Sequence, residues 1–307
     1  MPKVALITGA ANGIGLAVAK SLSTSTSPPW HIHIVDANPS AGAAAAASLP
    51  HATFHCADVT NYDALAAAFA AAYAAEKRLD FVFANAGIVE RVKFFVETAT
   101  QKTEDDGPPS FPDHALKVLD IDLKSVMFTS FLAAHYMTRE KAEGELEEGN
   151  ANGGSLVIIS SAAGHYASPS VPIYAAAKHG ALGLARSLAP DLYASHNIRV
   201  NAVCPGMVPT SLMEEWAESG KFDMASNFNM WTPVPCVVDA VLRLANAGTD
   251  AERVVSDSAG NEVKVGEMFG QAIECSGDKW YWRDQVPLCD DLMAKVMGYG
   301  SQKSGKN

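Results

Sequence analysis

Directly after the apolar run of residues 4–8, the chain turns through Thr8-Gly9-Ala10-Ala11-Asn12-Gly13-Ile14-Gly15 and enters a helical stretch, Leu16 to Leu22. Such a loop suits few folds. A strand, a glycine-rich turn and a helix leave the first amides of the helix open, and the missing Cβ atoms let a pyrophosphate approach them. Gly9, Asn12, Gly13, Ile14 and Gly15 are therefore candidates to hold one. On its own the turn could serve packing alone, so its meaning depends on the rest of the chain.

Apolar runs of strand length recur at 31–36, 53–57, 81–84, 156–160 and 198–203, and most are separated by Ala-rich stretches long enough for helices. Alternating strand and helix predicts an α/β Rossmann fold, a doubly wound parallel sheet with helices on both faces. Right-handed crossovers then bring the strand ends to one rim, where such sheets bind ligands. With 48% hydrophobic and 19% charged residues, all 307 residues are read as one domain around a large core. Surface insertions are expected at 98–112, which carries Gly107-Pro108-Pro109, and at the acidic, Gly-rich 141–154. Past Gly206 the rhythm weakens, leaving a helix at 237–245, a strand at 269–275 and a tail with Trp280-Tyr281-Trp282.

A formal charge of -11 and the lack of a Lys/Arg cluster argue against nucleic acid as a partner. The five cysteines are widely spaced and form no CxxC pair, so no metal site is expected and a reducing compartment fits. Apolar segment 4–8 follows Met1-Pro2-Lys3 at once, leaving no room for a presequence, and no apolar run reaches the ~20 residues of a membrane span. The expected location is cytoplasmic.

Asp36 ends the second predicted strand, roughly 20 residues past the glycine turn, where a carboxylate can accept hydrogen bonds from the ribose hydroxyls of a dinucleotide. It would repel a 2′-phosphate. Ala37 and Asn38 follow without an Arg, so NAD is expected rather than NADP.

Tyr174 and Lys178 lie four apart in a helical segment, 173–193, and so share one face. An ammonium beside a phenol stabilises phenolate, and a depression of ~2 to 3 pH units would make Tyr174 a base near neutral pH. The spacing is not specific. With 8 Tyr and 23 Lys plus Arg in 307 residues, it arises about 0.6 times by chance. Ser161 adds context, because it ends the run 156–160 on the expected ligand rim, where its hydroxyl could bond a substrate oxygen or merely cap a turn.

Taken in order, these segments resemble the short-chain dehydrogenase/reductase family over residues 4–210: the glycine turn, Asp36, Asp58-Val59, Asn85-Ala86-Gly87, Ser161, Tyr174/Lys178 and Asn201-Ala202-Val203-Cys204-Pro205-Gly206. The resemblance implies that Asp58 and Val59 border the adenine and that Asn85, Ala86 and Gly87 support the sheet beside the cofactor. It also implies that Lys178 holds the nicotinamide ribose. Pro205, Gly206, Val208 and Thr210 would hold the carboxamide. Where the family often has Asn before Leu, in a helix preceding the Ser strand, this chain has Asp122, expected either to join a proton relay to Lys178 or to be structural.

The implied activity is NAD-dependent interconversion of a secondary alcohol and a ketone, in the oxidative direction. Tyr174, Ser161, Lys178 and Asp122 would be the catalytic group. Similarity to hydroxyprostaglandin dehydrogenases and to fungal dehydrogenases of secondary metabolism implies an apolar substrate, such as a polyketide, lipid or aromatic compound. Its pocket is expected from 88–95, 165–172 and the loop region 207–235, with Leu212, Met213, Trp216, Phe222, Phe228 and Met230. Relatives form homodimers or homotetramers through helices that correspond here to 113–137 and 173–193. The competing readings are ketone reduction with NAD(P)H at the same site, a nucleotide-sugar epimerase, and a noncatalytic NAD-binding protein.

Overall fold

The structure, a computed structural model, describes residues 2–25, 29–90, 107–109, 113–139, 153–218, 230–245 and 252–297, with single positions at 95, 99 and 111. The chain runs β1 (Lys3–Thr8), α1 (Gly13–Ser23), β2 (Trp30–Asp36), α2 (Pro39–Ala47), β3 (Ala52–Cys56), α3 (Tyr62–Glu76) and β4 (Phe81–Ala84). Next come α4 (Asp113–Leu119), a π-helical turn (Asp120–Lys124), α5 (Ser125–Met137), β5 (Ser155–Ile159), α6 (Pro172–His196) and β6 (Arg199–Pro205). After these follow α7 (Ser211–Glu218), α8 (Val234–Ala245), a two-stranded ribbon of β7 (Val254–Ser256) and β8 (Glu262–Lys264), then β9 (Ala272–Ser276), β10 (Lys279–Arg283) and α9 (Asp291–Val296).

One eight-stranded sheet has the order β10-β9-β6-β5-β4-β1-β2-β3, parallel throughout except for β10. This is the doubly wound α/β arrangement expected. The winding reverses between β1 and β4, and a ligand crevice opens at such a point, beyond the strand ends. Period-two alternation explains why the strands read as continuous apolar runs. Ala5, Ile7, Phe81 and Phe83 face a layer with Val18 and Leu22 of α1 and Val241 and Leu244 of α8. Val4, Leu6 and Val82 face the other, with Leu65 and Phe69 of α3, Leu132 of α5 and Leu182 of α6. Each large side chain so buried contributes about 1.5–3 kcal/mol, enough to hold the rim against solvent.

Three expectations change. Segment 113–137 is not one α-helix, because residues 120–124 widen into a π turn. The late strand begins at Ala272 rather than at 269. Trp280-Tyr281-Trp282 is no tail: it forms edge strand β10, whose alternation buries both Trp side chains, with Arg243 over the Trp280 ring. The insertion at 98–112 lies largely, and 141–152 wholly, outside the described residues.

On the β2–β3 side, His33 is 2% exposed, bonds His55 at 2.9 Å and lies 3.9 Å from Glu76, while His31 pairs with Glu76 and stacks on His51. Burial, then the neighbouring His55, pulls the His33 pKa from 6.5 to about 4, against the pull of Glu76. A histidine kept neutral in the fold gives stability that is complete above pH 6.5 and lost as pH falls towards about 4. The loss amounts to about 3 kcal/mol. Urea unfolding should therefore be easier at pH 4.5 than at pH 7.5 in the native chain and much less pH-dependent in His33→Leu. An equal acid loss in both would clear His33 of the effect.

Candidate active site

The ends of β1, β2, β4, β5 and β6 surround a cavity of about 360 Å³. At its floor the backbone turns sharply after Thr8. Gly9 (φ +64°) and Gly13 (φ +55°) occupy the left-handed region, and a Cβ on Gly9 would stand 2.7 Å from the Ala86 Cα. Asn12, in extended backbone, precedes α1, which has no side-chain cap and no acidic residue in its first turn. Its leading amides are thus open to an anion. Asn12, Ile14, Asp58, Val59, Ala86, Gly87, Pro205, Gly206, Val208 and Thr210 all line the cavity. Gly15 does not line it. A Cβ there would meet the Gly9 carbonyl at 2.5 Å and Asn85 Nδ2 at 2.6 Å, so Gly15 lets α1 pack under the turn.

Asp36 sits at the end of β2 with both oxygens engaged: Oδ2 accepts from the Ala11 amide at 3.0 Å and Oδ1 from the Asn38 amide at 3.0 Å. The carboxylate is thereby fixed at the cavity wall. Asn85 joins β4 to the turn, donating from Nδ2 to the Thr8 and Gly9 carbonyls, while the Thr8 hydroxyl accepts from the Asn85 and Ala86 amides.

Ser161 leaves β5 and caps the short 3-10 turn Ala162–Gly164, its Oγ accepting from the Ala163 amide at 3.1 Å. The same hydroxyl donates to the Pro205 carbonyl at 3.5 Å and lines the cavity together with Tyr174. Both readings of this serine, cap and site residue, are thus compatible in space. Ser160 instead donates to the Lys178 carbonyl at 2.8 Å and braces α6.

Tyr174 and Lys178 share one face of α6, with Nζ 5.4 Å from the ring centroid. Lys178 Nζ donates to the Ile159 carbonyl at 3.3 Å and approaches Asp122 Oδ2 to 3.1 Å, an ion pair whose angle falls short of a hydrogen bond. Both are buried, Asp122 fully. The π turn swings Asp122 inward, and Oδ1 accepts from the Ile88 amide at 2.8 Å. Burial pushes the Asp122 carboxyl up against the pull of Lys178 and the Ile88 amide. Lys178 is drawn down by burial, but Asp122 and Tyr174 outweigh this and hold it above its usual value.

Here the expected depression of Tyr174 is corrected. Its phenol is held above its ordinary value, first by burial and then by the Asp122 charge, which together exceed the downward pull of Lys178 and Ser161. The Asp122 charge opposes the downward pull that Lys178 supplies. Glu90 falls within the expected pocket segment 88–95, but no sequence pattern assigns it a role. Glu90, 3% exposed, accepts from the Tyr174 amide at 2.7 Å across 84 positions, a distance over which no local pattern signals the partner.

Of the expected pocket residues, Ile88, Leu212 and Met213 line the cavity and Met230 is exposed. Phe222, Phe228 and the Trp216 side chain lie outside the described residues. No group of three or more His, Cys, Asp or Glu able to hold a metal occurs among the described residues, and none of their helices is long and apolar enough to cross a membrane.

Residues 3–221 match the sequence profile described as short chain dehydrogenase. The short-chain dehydrogenase/reductase prx7 of Penicillium rubens is 41% identical over 92% of this chain and 95% of its own length. The 15-hydroxyprostaglandin dehydrogenase (NAD(+)) of Homo sapiens is 34% identical over 69% of this chain and 70% of its own. The 3beta-hydroxysteroid dehydrogenase of Mediterraneibacter gnavus is 34% identical over 73% and 72% respectively. A protein described as a short-chain alcohol dehydrogenase of Sinorhizobium meliloti shares the fold, with a TM-score of 0.63 at 24% identity over 79% of this chain and 88% of that one. With that match over most of its length, and a site of this geometry beneath it, the chain belongs to the short-chain dehydrogenase/reductase family of oxidoreductases.

Proposed function

We propose that this chain is an NAD-dependent dehydrogenase that oxidises a secondary alcohol on an apolar substrate to the ketone. The observation that carries the reading is the meeting, in the lining of one cavity, of Ser161, Tyr174 and Lys178 with a fixed Asp36.

The residues present fit a dinucleotide. Gly9 and Gly13 line the cavity, and Gly9 without a Cβ lets the turn sit against Ala86; α1 offers open amides, and Asp36 presents acceptors where ribose hydroxyls would lie. Asp58 and Val59 would flank the adenine, Lys178 would hold the second ribose, and Pro205 to Thr210 the carboxamide. NAD, when bound, supplies the hydride acceptor and, in its oxidised form, a positive charge. Tyr174 accepts the hydroxyl proton at its phenolate oxygen. Ser161 donates to the substrate oxygen and holds it during the change from alcohol to carbonyl. Lys178 stabilises the phenolate, and Asp122 keeps Lys178 charged. Because Tyr174 is held high, turnover should favour alkaline pH, which suits proton removal from an alcohol.

Ile88, Leu212 and Met213 make an apolar wall for the substrate. The names of the prostaglandin and steroid relatives point the same way, to hydroxyls on apolar molecules. Met127 and Phe131, 51% and 66% exposed on α5, support a homo-oligomer through that helix.

The test is NADH formation over a panel of apolar secondary alcohols: aromatic polyketides, steroids and hydroxy fatty acids. Turnover of one class with kcat/KM for NAD at least about 10-fold above that for NADP is expected, since Asp36 opposes a 2′-phosphate. A clear preference for NADP would overturn the cofactor assignment, and silence across the panel the substrate assignment.

A further inference from the structure

We propose that Glu90 is a positioning residue that fixes the backbone of Tyr174, so that the loop following β4, and not α6 alone, sets where the phenol stands. The inference deepens the proposed function and rests on Tyr174 being its acid/base.

Helix α6 begins without a cap of its own. Val171 makes no side-chain cap bond, the first turn has no acidic residue, and Pro172 has no N–H. Tyr174 is the third residue of this helix, and its amide is one of the donors left unpaired by the helical ladder. Glu90 Oε2 takes that amide at 2.7 Å, with the carboxylate 3% exposed. A buried carboxylate at the positive end of a helix is favoured by the amides around it, and the bond to a charged acceptor is stronger than a neutral one. The cap thus falls on the backbone of the residue whose phenol does the chemistry.

The same loop carries two other ties. Asn85 binds the glycine turn through the Thr8 and Gly9 carbonyls, and the Ile88 amide binds Asp122 Oδ1. Within six residues, 85–90, the chain therefore fastens the cofactor turn, the partner of Lys178 and the start of the Tyr174 helix to one another. A shift of the helix start would displace the phenol from Ser161 while leaving the glycine turn and Asp36 untouched.

The experiment compares Glu90→Ala and Glu90→Gln with the native chain in kcat, in NADH dissociation constant, and in amide hydrogen exchange over residues 172–178. A displacement of this kind predicts that Glu90→Ala loses about 10- to 100-fold in kcat, with NADH affinity within about twofold and faster exchange confined to the start of α6. Glu90→Gln keeps an acceptor oxygen and should recover most of the rate and the protection. Unchanged kcat and exchange in a folded Glu90→Ala would overturn the proposal. So would a Gln variant no better than Ala, or an NADH affinity that falls in step with kcat. If the native chain turns over no alcohol, the proposed function fails, while exchange at the α6 start still decides whether Glu90 holds Tyr174.

Discussion

Tyr174→Phe is expected to lower kcat by about 10²- to 10⁴-fold and to leave NADH affinity within about twofold. The variant removes one oxygen and little else. The Tyr174 ring packs against the cluster of Ala115, Val118 and Ile173, and phenylalanine fills the same space. Lys178 retains Asp122 and the Ile159 carbonyl, and Ser161 retains the Ala163 amide. The hydroxyl is therefore separable from the scaffold. What disappears is the only phenol in the described lining of the cavity, beside Ser161 in that lining and with Lys178 Nζ 5.4 Å from its ring centroid. The measurement is steady-state turnover of the best alcohol of the panel, beside NADH fluorescence titration. A variant with near-native kcat would remove Tyr174 from the chemistry, and one that no longer binds NADH would make the ring a cofactor contact.

The parts of this site that were legible in sequence are those set by backbone needs. Glycines at 9 and 13 announce themselves because both stand at positive φ, which a side chain disfavours, and at 9 a Cβ would also strike the Ala86 backbone. The strands showed because a sheet covered on both faces makes β4 apolar at every position and β1 apolar from Val4 to Ile7. Tyr174 and Lys178 showed because i,i+4 spacing is local. Gly15 was found for the wrong reason, since its missing Cβ serves helix packing under the turn and not the cavity. Other features were hidden because their causes are distant. The π turn depends on where Asp122 meets Lys178 across 56 positions, and the Glu90 bond on a backbone amide in another element. The Tyr174 phenol illustrates the same limit: a neighbouring lysine read in sequence implied a lowered pKa, but burial and Asp122 come from the fold and reverse the sign.

Asp122→Asn should expose that reversal directly. Asparagine keeps an oxygen for the Ile88 amide but withdraws the negative charge 3.1 Å from Lys178 Nζ. Both groups that Asp122 holds up should then move down: Lys178 loses its counter-ion in a buried place, and Tyr174 loses the charge that opposed its ionisation. The acid limb of the kcat/KM profile, which reports the Tyr174 base in the free enzyme, should move to lower pH. The alkaline limb should move down with Lys178, so that the working range shifts to lower pH. Withdrawing one partner of a buried pair also costs about 3–5 kcal/mol of stability, toward the lower end here because the Ile88 bond survives. Urea unfolding at pH 7.5 and full pH–rate profiles of both proteins measure the two effects separately. A destabilised variant with an unmoved profile would leave Asp122 as a structural counter-ion, while native turnover and native profile together would take it out of the mechanism. The expected result, a weaker protein whose base works at lower pH, would mean that this chain keeps its buried ion pair at the expense of a readily ionised tyrosine. Its optimum for alcohol oxidation would then be set as much by Asp122 as by Tyr174 itself.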